Sequence, residues 1–174
     1  MRYATLPHPT LGILHFRDVM RDYQRALLED PSERVIIVKA RQIGISQTLA
    51  FLAAHEALRG GTVLVVSRTG EQAGLFLKYV YTALAEAPHP AYARENQGTL
   101  EFAGRGAVYT QAASKGAGRG IPASLVILDE MAWMEYGDDI FTSIMPTLSN
   151  GGKCIVCSTP YGRANKFYQL WGRW

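Results

Sequence analysis

An apolar run that breaks at a short turn and restarts as a helix constrains this chain more than any other feature. Val35-Ile-Ile-Val38 leads into Lys39-Ala-Arg41-Gln42-Ile43-Gly44-Ile45-Ser46-Gln47-Thr48. Four consecutive apolar residues suit a strand buried on both faces of a parallel sheet. Gly44, and Ser46 at the opening of the next helix, fall where a phosphate-binding P-loop needs them. Backbone N–H groups between Lys39 and Ser46 would then wrap phosphates, helped by the positive end of the helix. Yet Ile45 stands where the signature has its lysine, and Lys39 stands where the signature has its first glycine. The pattern predicts a cation moved to the other end of the loop. A solvated lysine at a strand end is the alternative.

Leu125-Val-Ile-Leu128 runs directly into Asp129-Glu130. Two acids at the end of a buried strand can divide the work of a triphosphatase. One holds Mg²⁺ through its water shell, since this ion keeps several waters and few protein ligands. The other orients or deprotonates the attacking water. Asp129 is expected to take the metal, with the Ser46 hydroxyl opposite, and Glu130 the water. The plainer alternatives are that both acids favour the start of the next helix and that Ser46 is an N-cap. Lys153-Cys-Ile-Val-Cys157 reads as another strand, ending in Ser158-Thr159-Pro160, which can report on a terminal phosphate.

These three strand-end motifs, in this order, resemble the ATPase domain of phage terminase large subunits, the motors that drive DNA into procapsids. The resemblance also rests on Tyr23-Gln24 and on the tail from Thr159 to Tyr168, and it spans roughly Tyr23 to Trp171. It implies an α/β fold, a P-loop NTPase of the additional-strand (RecA-like) class, with a mainly parallel sheet flanked by helices. The strand ending at Cys157 should lie between the P-loop strand and the Asp129 strand. Gln24 would read the adenine edge. Residues 39 to 47 apart from Ala40, namely Lys39, Arg41, Gln42, Ile43, Gly44, Ile45, Ser46 and Gln47, would bind ATP. Lys39 aligns with a lysine at the start of the loop in some viral terminases, and Arg41 with an arginine of related loops, so both are candidates for the missing charge. Glu130 would be catalytic, Ser46 and Asp129 would hold Mg²⁺, and Ser158, Thr159 and Pro160 would couple hydrolysis to movement. Arg119 would reach a neighbouring subunit's phosphates, with Lys115, Arg105 and Arg68 as rival cations.

The implied partners are double-stranded DNA, a portal ring and a small terminase subunit. The implied assembly is a homo-oligomeric ring when docked, and a monomer in isolation. The implied location is the host cytoplasm. Two other readings stay open: a helicase-like DNA translocase, which usually needs a second lobe, and a degenerate P-loop module that binds DNA without turnover. Ile45 favours the latter and Asp129-Glu130 oppose it.

At 174 residues and 48% hydrophobic content, one substantial core and one domain are expected. Residues 1–32 read as an N-terminal helical segment on the adenine side and residues 33–174 as the P-loop core. The nuclease domain and linker subdomain of terminases are expected to be absent from it. No apolar stretch is long enough to span a bilayer, and Pro7, His8 and Pro9 interrupt the region where a signal peptide would lie. A cytosolic protein without a membrane partner is expected. A net charge of +3 permits a nucleic-acid partner without requiring one. Arg105, Lys115, Arg163 and Lys166 are candidate DNA contacts. Cys154 and Cys157 form a CxxC, but strand residues three apart point to opposite faces, so buried cysteines are expected rather than a metal site. The four histidines are scattered, and His55-Glu56 lacks the second histidine of a zinc helix.

Elsewhere, helical spacing predicts helices over Phe16–Leu28, Ser46–Leu58, Glu71–Leu84 and Asp138–Met145. Thr62–Val66 repeats the buried-strand pattern. Thr99–Ala103 and Ala107–Gln111 flank Gly104-Arg105-Gly106 as a hairpin, and Ser114–Gly120 is a small-residue loop.

Overall fold

The computed structural model describes residues 20–85, 91–148 and 151–174. Phe16, His8, His15, His89 and the prolines at 7, 9, 88 and 90 lie outside the described residues. Chain order begins with α1 (Asp22–Glu29), β1 (Arg34–Val38), α2 (Ile45–Leu58), β2 (Thr62–Ser67) and α3 (Gly70–Leu84). Three strands follow: β3 (Tyr92–Asn96), β4 (Thr99–Phe102) and β5 (Ala107–Ala112). The last part is β6 (Leu125–Asp129), a 3₁₀ turn (Met131–Trp133), α4 (Gly137–Ile144), a second 3₁₀ turn (Met145–Leu148), β7 (Lys153–Ser158) and α5 (Lys166–Trp171).

Seven strands form one sheet in the order β1-β7-β6-β2-β5-β4-β3. Pairing is parallel from β1 to β5, and β4 and β3 add an antiparallel edge. The expected insertion of β7 between β1 and β6 is found. So is the expected hairpin, as β4 and β5. One strand, β3, goes beyond the expectation, because its sequence Tyr-Ala-Arg-Glu-Asn is mostly polar and mostly exposed. The first strand also differs from its reading. It forms the edge of the described sheet, its residues are half-buried, and Val38 is exposed.

The sheet divides the core in two. Alternate residues of β2 show why: Val63 and Val65 join α1, α2 and α3, whereas Leu64 and Val66 join α4, α5 and the 3₁₀ segments. Cys157 faces the first layer and Cys154 the second, as strand geometry requires. Residues 63–66 have no exposed surface, and burying each such apolar side chain stabilises the fold by about 1.5–3 kcal/mol. The alanine-rich α2 is buried on most of its surface, packed under both α1 and α3. Its N-terminus is thereby fixed at the carboxyl ends of β1, β7 and β6. That is where the polar motifs converge.

Candidate active site

Residues 39–44 turn from β1 into α2. Gly44 is the N-cap of α2 at φ 81° and ψ 9°, in the left-handed region. A side chain there would place its Cβ 2.8 Å from Gln24 Nε2, the movable end of a side chain, so it is the left-handed dihedral that demands glycine. Gln42 is also left-handed, at φ 59°, a conformation that costs a non-glycine residue about 1–3 kcal/mol and tends to gather at functional sites. The loop is held from outside by α1. The Tyr23 hydroxyl donates to the Ile43 carbonyl at 2.5 Å. Gln24 Nε2 donates to Thr48 Oγ1 at 2.9 Å and, more loosely, to the Gly44 carbonyl at 3.4 Å. Its Oε1 accepts from the Arg21 N–H at 3.0 Å.

Gln24 is thus buried with both ends of its carboxamide engaged, and it does not line the cavity above the loop. The side chain expected to read an adenine edge here braces the loop and α2 against α1. Ile45, the first residue of α2, is 4% exposed and packs into the core. With Gly44 as N-cap, Ser46 is released from capping, and its Oγ donates to Asp129 Oδ2 at 2.9 Å.

Lys39 joins the loop to the acids. Its N–H donates to the Ser158 carbonyl at 3.0 Å, continuing the β1–β7 ladder. Its Nζ lies 2.7 Å from Glu130 Oε1 and 3.2 Å from Asp129 Oδ1. Burial disfavours the Lys39 ammonium, yet the two carboxylates outweigh it and raise its pKa above the usual lysine range. Burial also opposes charge on Glu130. There Lys39 and the Thr159 donors win, and the carboxyl is held below its ordinary range. Glu130 Oε2 accepts from the Thr159 N–H at 3.0 Å and the Thr159 hydroxyl at 2.9 Å. Ser158 Oγ is 3.3 Å from the same oxygen but donates more closely to the Thr159 carbonyl, at 2.8 Å. Glu130 itself is left-handed at φ 61°, a strained position that these contacts over-determine. It precedes a 3₁₀ turn, so the two acids do not open an α-helix. Cys157 Sγ donates to Asp129 Oδ1 at 3.1 Å, and burial first, then Asp129, keeps the thiol neutral.

A cavity of about 570 Å³ opens over these groups. Every residue from Lys39 to Gln47 lines it, together with Asp129, Glu130 and Thr159. Pro160 is exposed beyond the cavity, and so is Arg119, in the loop after β5. Arg68, Gln72, Leu75, Tyr79 and Trp133 line the cavity too. Sequence reasoning names only Arg68 among them, as a rival cation; its place at the end of β2 is the available signal. The candidate DNA contacts are scattered. Arg105 donates to the Leu58 carbonyl at 2.6 Å, at the far end of α2, roughly 20 Å from the loop by helical rise. Lys166 pairs with Asp138 at 2.9 Å, and Lys115 and Arg163 lie over the rings of Tyr136 and Tyr168.

The strand order, the P-loop between β1 and α2, and the acids ending β6 define an additional-strand, RecA-like P-loop NTPase. The family model for the terminase large subunit, T4likevirus-type, N-terminal, matches residues 36–174. The chain belongs to that family, whose role is DNA packaging by a motor. Solved structures agree on the fold. The large terminase ATPase domain of Thermus phage P74-26 matches at a TM-score of 0.71 and 23% identity, over 94% of this chain and 74% of that one. A large terminase from a thermophilic bacteriophage, in complex with ADP, matches at 0.70 and 15%, over 86% of this chain and 41% of that one. The HK97 bacteriophage large terminase matches at 0.67 and 18%, over 87% and 36% respectively. This chain therefore spans well under half of the last two proteins. No helix among the described residues is long and apolar enough to cross a membrane.

Proposed function

We propose that this domain hydrolyses ATP to power movement of double-stranded DNA into a procapsid, with Lys39 supplying the charge that Ile45 cannot. The observation that carries the reading is the convergence of Lys39, Asp129 and Glu130 within 2.7–3.2 Å, at the mouth of the P-loop. Ile45 packs into the core, and Lys39 brings a cation to the same cavity from the other end of the loop. This weighs against a degenerate loop.

The backbone N–H groups of the loop bind the phosphates, and Lys39 and Arg41 offset their charge. Ser46 Oγ and Asp129 Oδ2, 2.9 Å apart and both lining the cavity, are hard oxygen donors that fit Mg²⁺. When bound, that ion neutralises charge on the terminal phosphates. Glu130 takes the proton of a water that attacks the terminal phosphorus, as the bond to the bridging oxygen breaks and ADP leaves with both electrons. Thr159 and Ser158 tie that carboxylate to the end of β7, so a change at the phosphates is passed to the segment beyond Pro160.

Arg119, exposed outside the cavity, acts on a neighbouring subunit in a homo-oligomeric ring at the portal. The small terminase subunit is a further partner, and the host cytoplasm is the setting. Phosphate release by the 174-residue chain, with and without duplex DNA, tests the reading. Mg²⁺-dependent turnover that rises with DNA and with protein concentration is expected. Nucleotide binding without turnover under any of these conditions would overturn it in favour of a binding module.

A further inference from the structure

Trp133 belongs to none of the three strand-end motifs, yet its indole reaches the catalytic glutamate through one intermediary. Trp133 Nε1 donates to Thr159 Oγ1 at 2.9 Å. That same oxygen lies 2.9 Å from Glu130 Oε2. An indole N–H can only donate, and the Glu130 carboxylate, already accepting from Lys39 Nζ and the Thr159 N–H, serves as the acceptor. The Thr159 hydroxyl must therefore accept from the indole and donate to Glu130. Without the indole, the hydroxyl could rotate its hydrogen elsewhere. The indole itself is braced: the Tyr161 ring stacks on it with centroids 3.9 Å apart, and the Arg68 guanidinium lies 5.3 Å from its ring centre.

We propose that Trp133 is a positioning residue, fixing the Thr159 hydroxyl as a donor so that Glu130 Oε2 is held toward the cavity. This rests on the ATPase reading above. The left-handed backbone at Glu130 fits the arrangement, since a residue in that conformation persists where surrounding contacts fix it. Trp133 and Thr159 both line the cavity with Glu130, so the chain of donors is part of the wall that a nucleotide would meet.

The test compares steady-state ATP turnover of the full chain with its Trp133→Phe, Thr159→Val and Thr159→Ser variants and the Phe/Val double variant. Trp133→Phe keeps an aromatic ring and removes the N–H. It should lower kcat about tenfold, the scale of a lost hydrogen bond in a charged network, and leave KM for ATP within about twofold. Thr159→Ser should recover turnover lost in Thr159→Val. The double variant should be no worse than its poorer parent, because both changes break one chain. Wild-type kcat in Trp133→Phe, or losses that multiply in the double variant, would overturn the proposal. Should Trp133→Phe fail to fold, solvent exchange of the three indole N–H protons decides. One proton should lose protection in Thr159→Val and keep it in Thr159→Ser; three unchanged protons would overturn it. A wild-type chain that never turns over ATP would end the underlying reading and this one with it, whereas an active wild type with an equally active Trp133→Phe ends this one alone.

Discussion

The Lys39 ammonium and the Glu130 carboxylate, 91 residues apart in sequence, meet at 2.7 Å across the ends of two strands that are not neighbours. Between them runs β7, whose last residue Ser158 and the Thr159 that follows bind both: the Ser158 carbonyl takes the Lys39 N–H, and Thr159 donates twice to Glu130. The inserted strand thus sets the spacing between the loop's lysine and the Glu130 carboxylate.

Removing Lys39 should therefore do two kinds of damage. Lys39→Ala takes a preorganised charge from the phosphates and leaves two neighbouring carboxylates without their shared counter-charge. Turnover should fall by ~10²–10³, the scale for losing one preorganised electrostatic group. Arg41→Ala, at an exposed position with no part in the acid pair, should cost less. A phosphate-release assay on both variants reads the order, and a reversed order would give the role to Arg41.

The two acids should separate on substitution. Glu130→Gln keeps shape and can still accept from Thr159, so Mg²⁺–ATP should bind with near-normal affinity while turnover collapses. Asp129→Asn should weaken the Mg²⁺-dependent part of binding, because it removes the charge beside Ser46. Nucleotide titrations with and without Mg²⁺ distinguish them. Equal losses of affinity in both would show that the division of labour is wrong.

Much of this arrangement is visible in the sequence because parallel strands buried on both faces are continuous apolar runs, and their carboxyl ends are where polar residues begin. Thr62–Val66, Leu125–Asp129 and Lys153–Cys157 announce themselves in that way. Tyr92–Asn96 does not, since an exposed edge strand carries no apolar signature. The family resemblance assigns Gln24 to an adenine edge, and tertiary packing adds contacts to Thr48, Gly44 and Arg21 that no motif spells out. Nothing in the sequence marks Trp133, because its one polar atom acts across a 3₁₀ turn onto β7, a contact that no spacing encodes.

At Gly44 the left-handed backbone favours glycine. Gly44→Ala would force an L-residue to φ 81° and drive its Cβ to 2.8 Å from Gln24 Nε2. The expected loss is about 1–3 kcal/mol of stability, with weaker nucleotide binding as the loop shifts. Gln24→Ala should relieve the contact and leave the dihedral strain, so the double variant should recover part of the nucleotide affinity and only part of the melting temperature. Thermal melts and nucleotide titrations across the four proteins check this; a Gly44→Ala protein as stable as wild type would contradict the loop geometry.

Arg119 lies outside its own cavity, so a role at the phosphates requires another subunit. Arg119→Ala and Glu130→Gln proteins should each be nearly inactive alone. Mixed, they should regain a fraction of wild-type turnover, since some interfaces then combine an intact Arg119 with an intact Glu130. Mixtures that stay as inactive as their parents, under conditions where the wild type turns over, would remove Arg119 from the mechanism.

Whether a lysine at the start of the loop performs the task usually given to one at its end is decided by a crystal structure of the chain with a non-hydrolysable ATP analogue and Mg²⁺. Lys39 Nζ should then lie within hydrogen-bond distance of a β- or γ-phosphate oxygen, with Ser46 and Asp129 around the metal and Ile45 still in the core. Phosphates met by Arg41 or Arg68, with Lys39 bound only to Asp129 and Glu130, would contradict it.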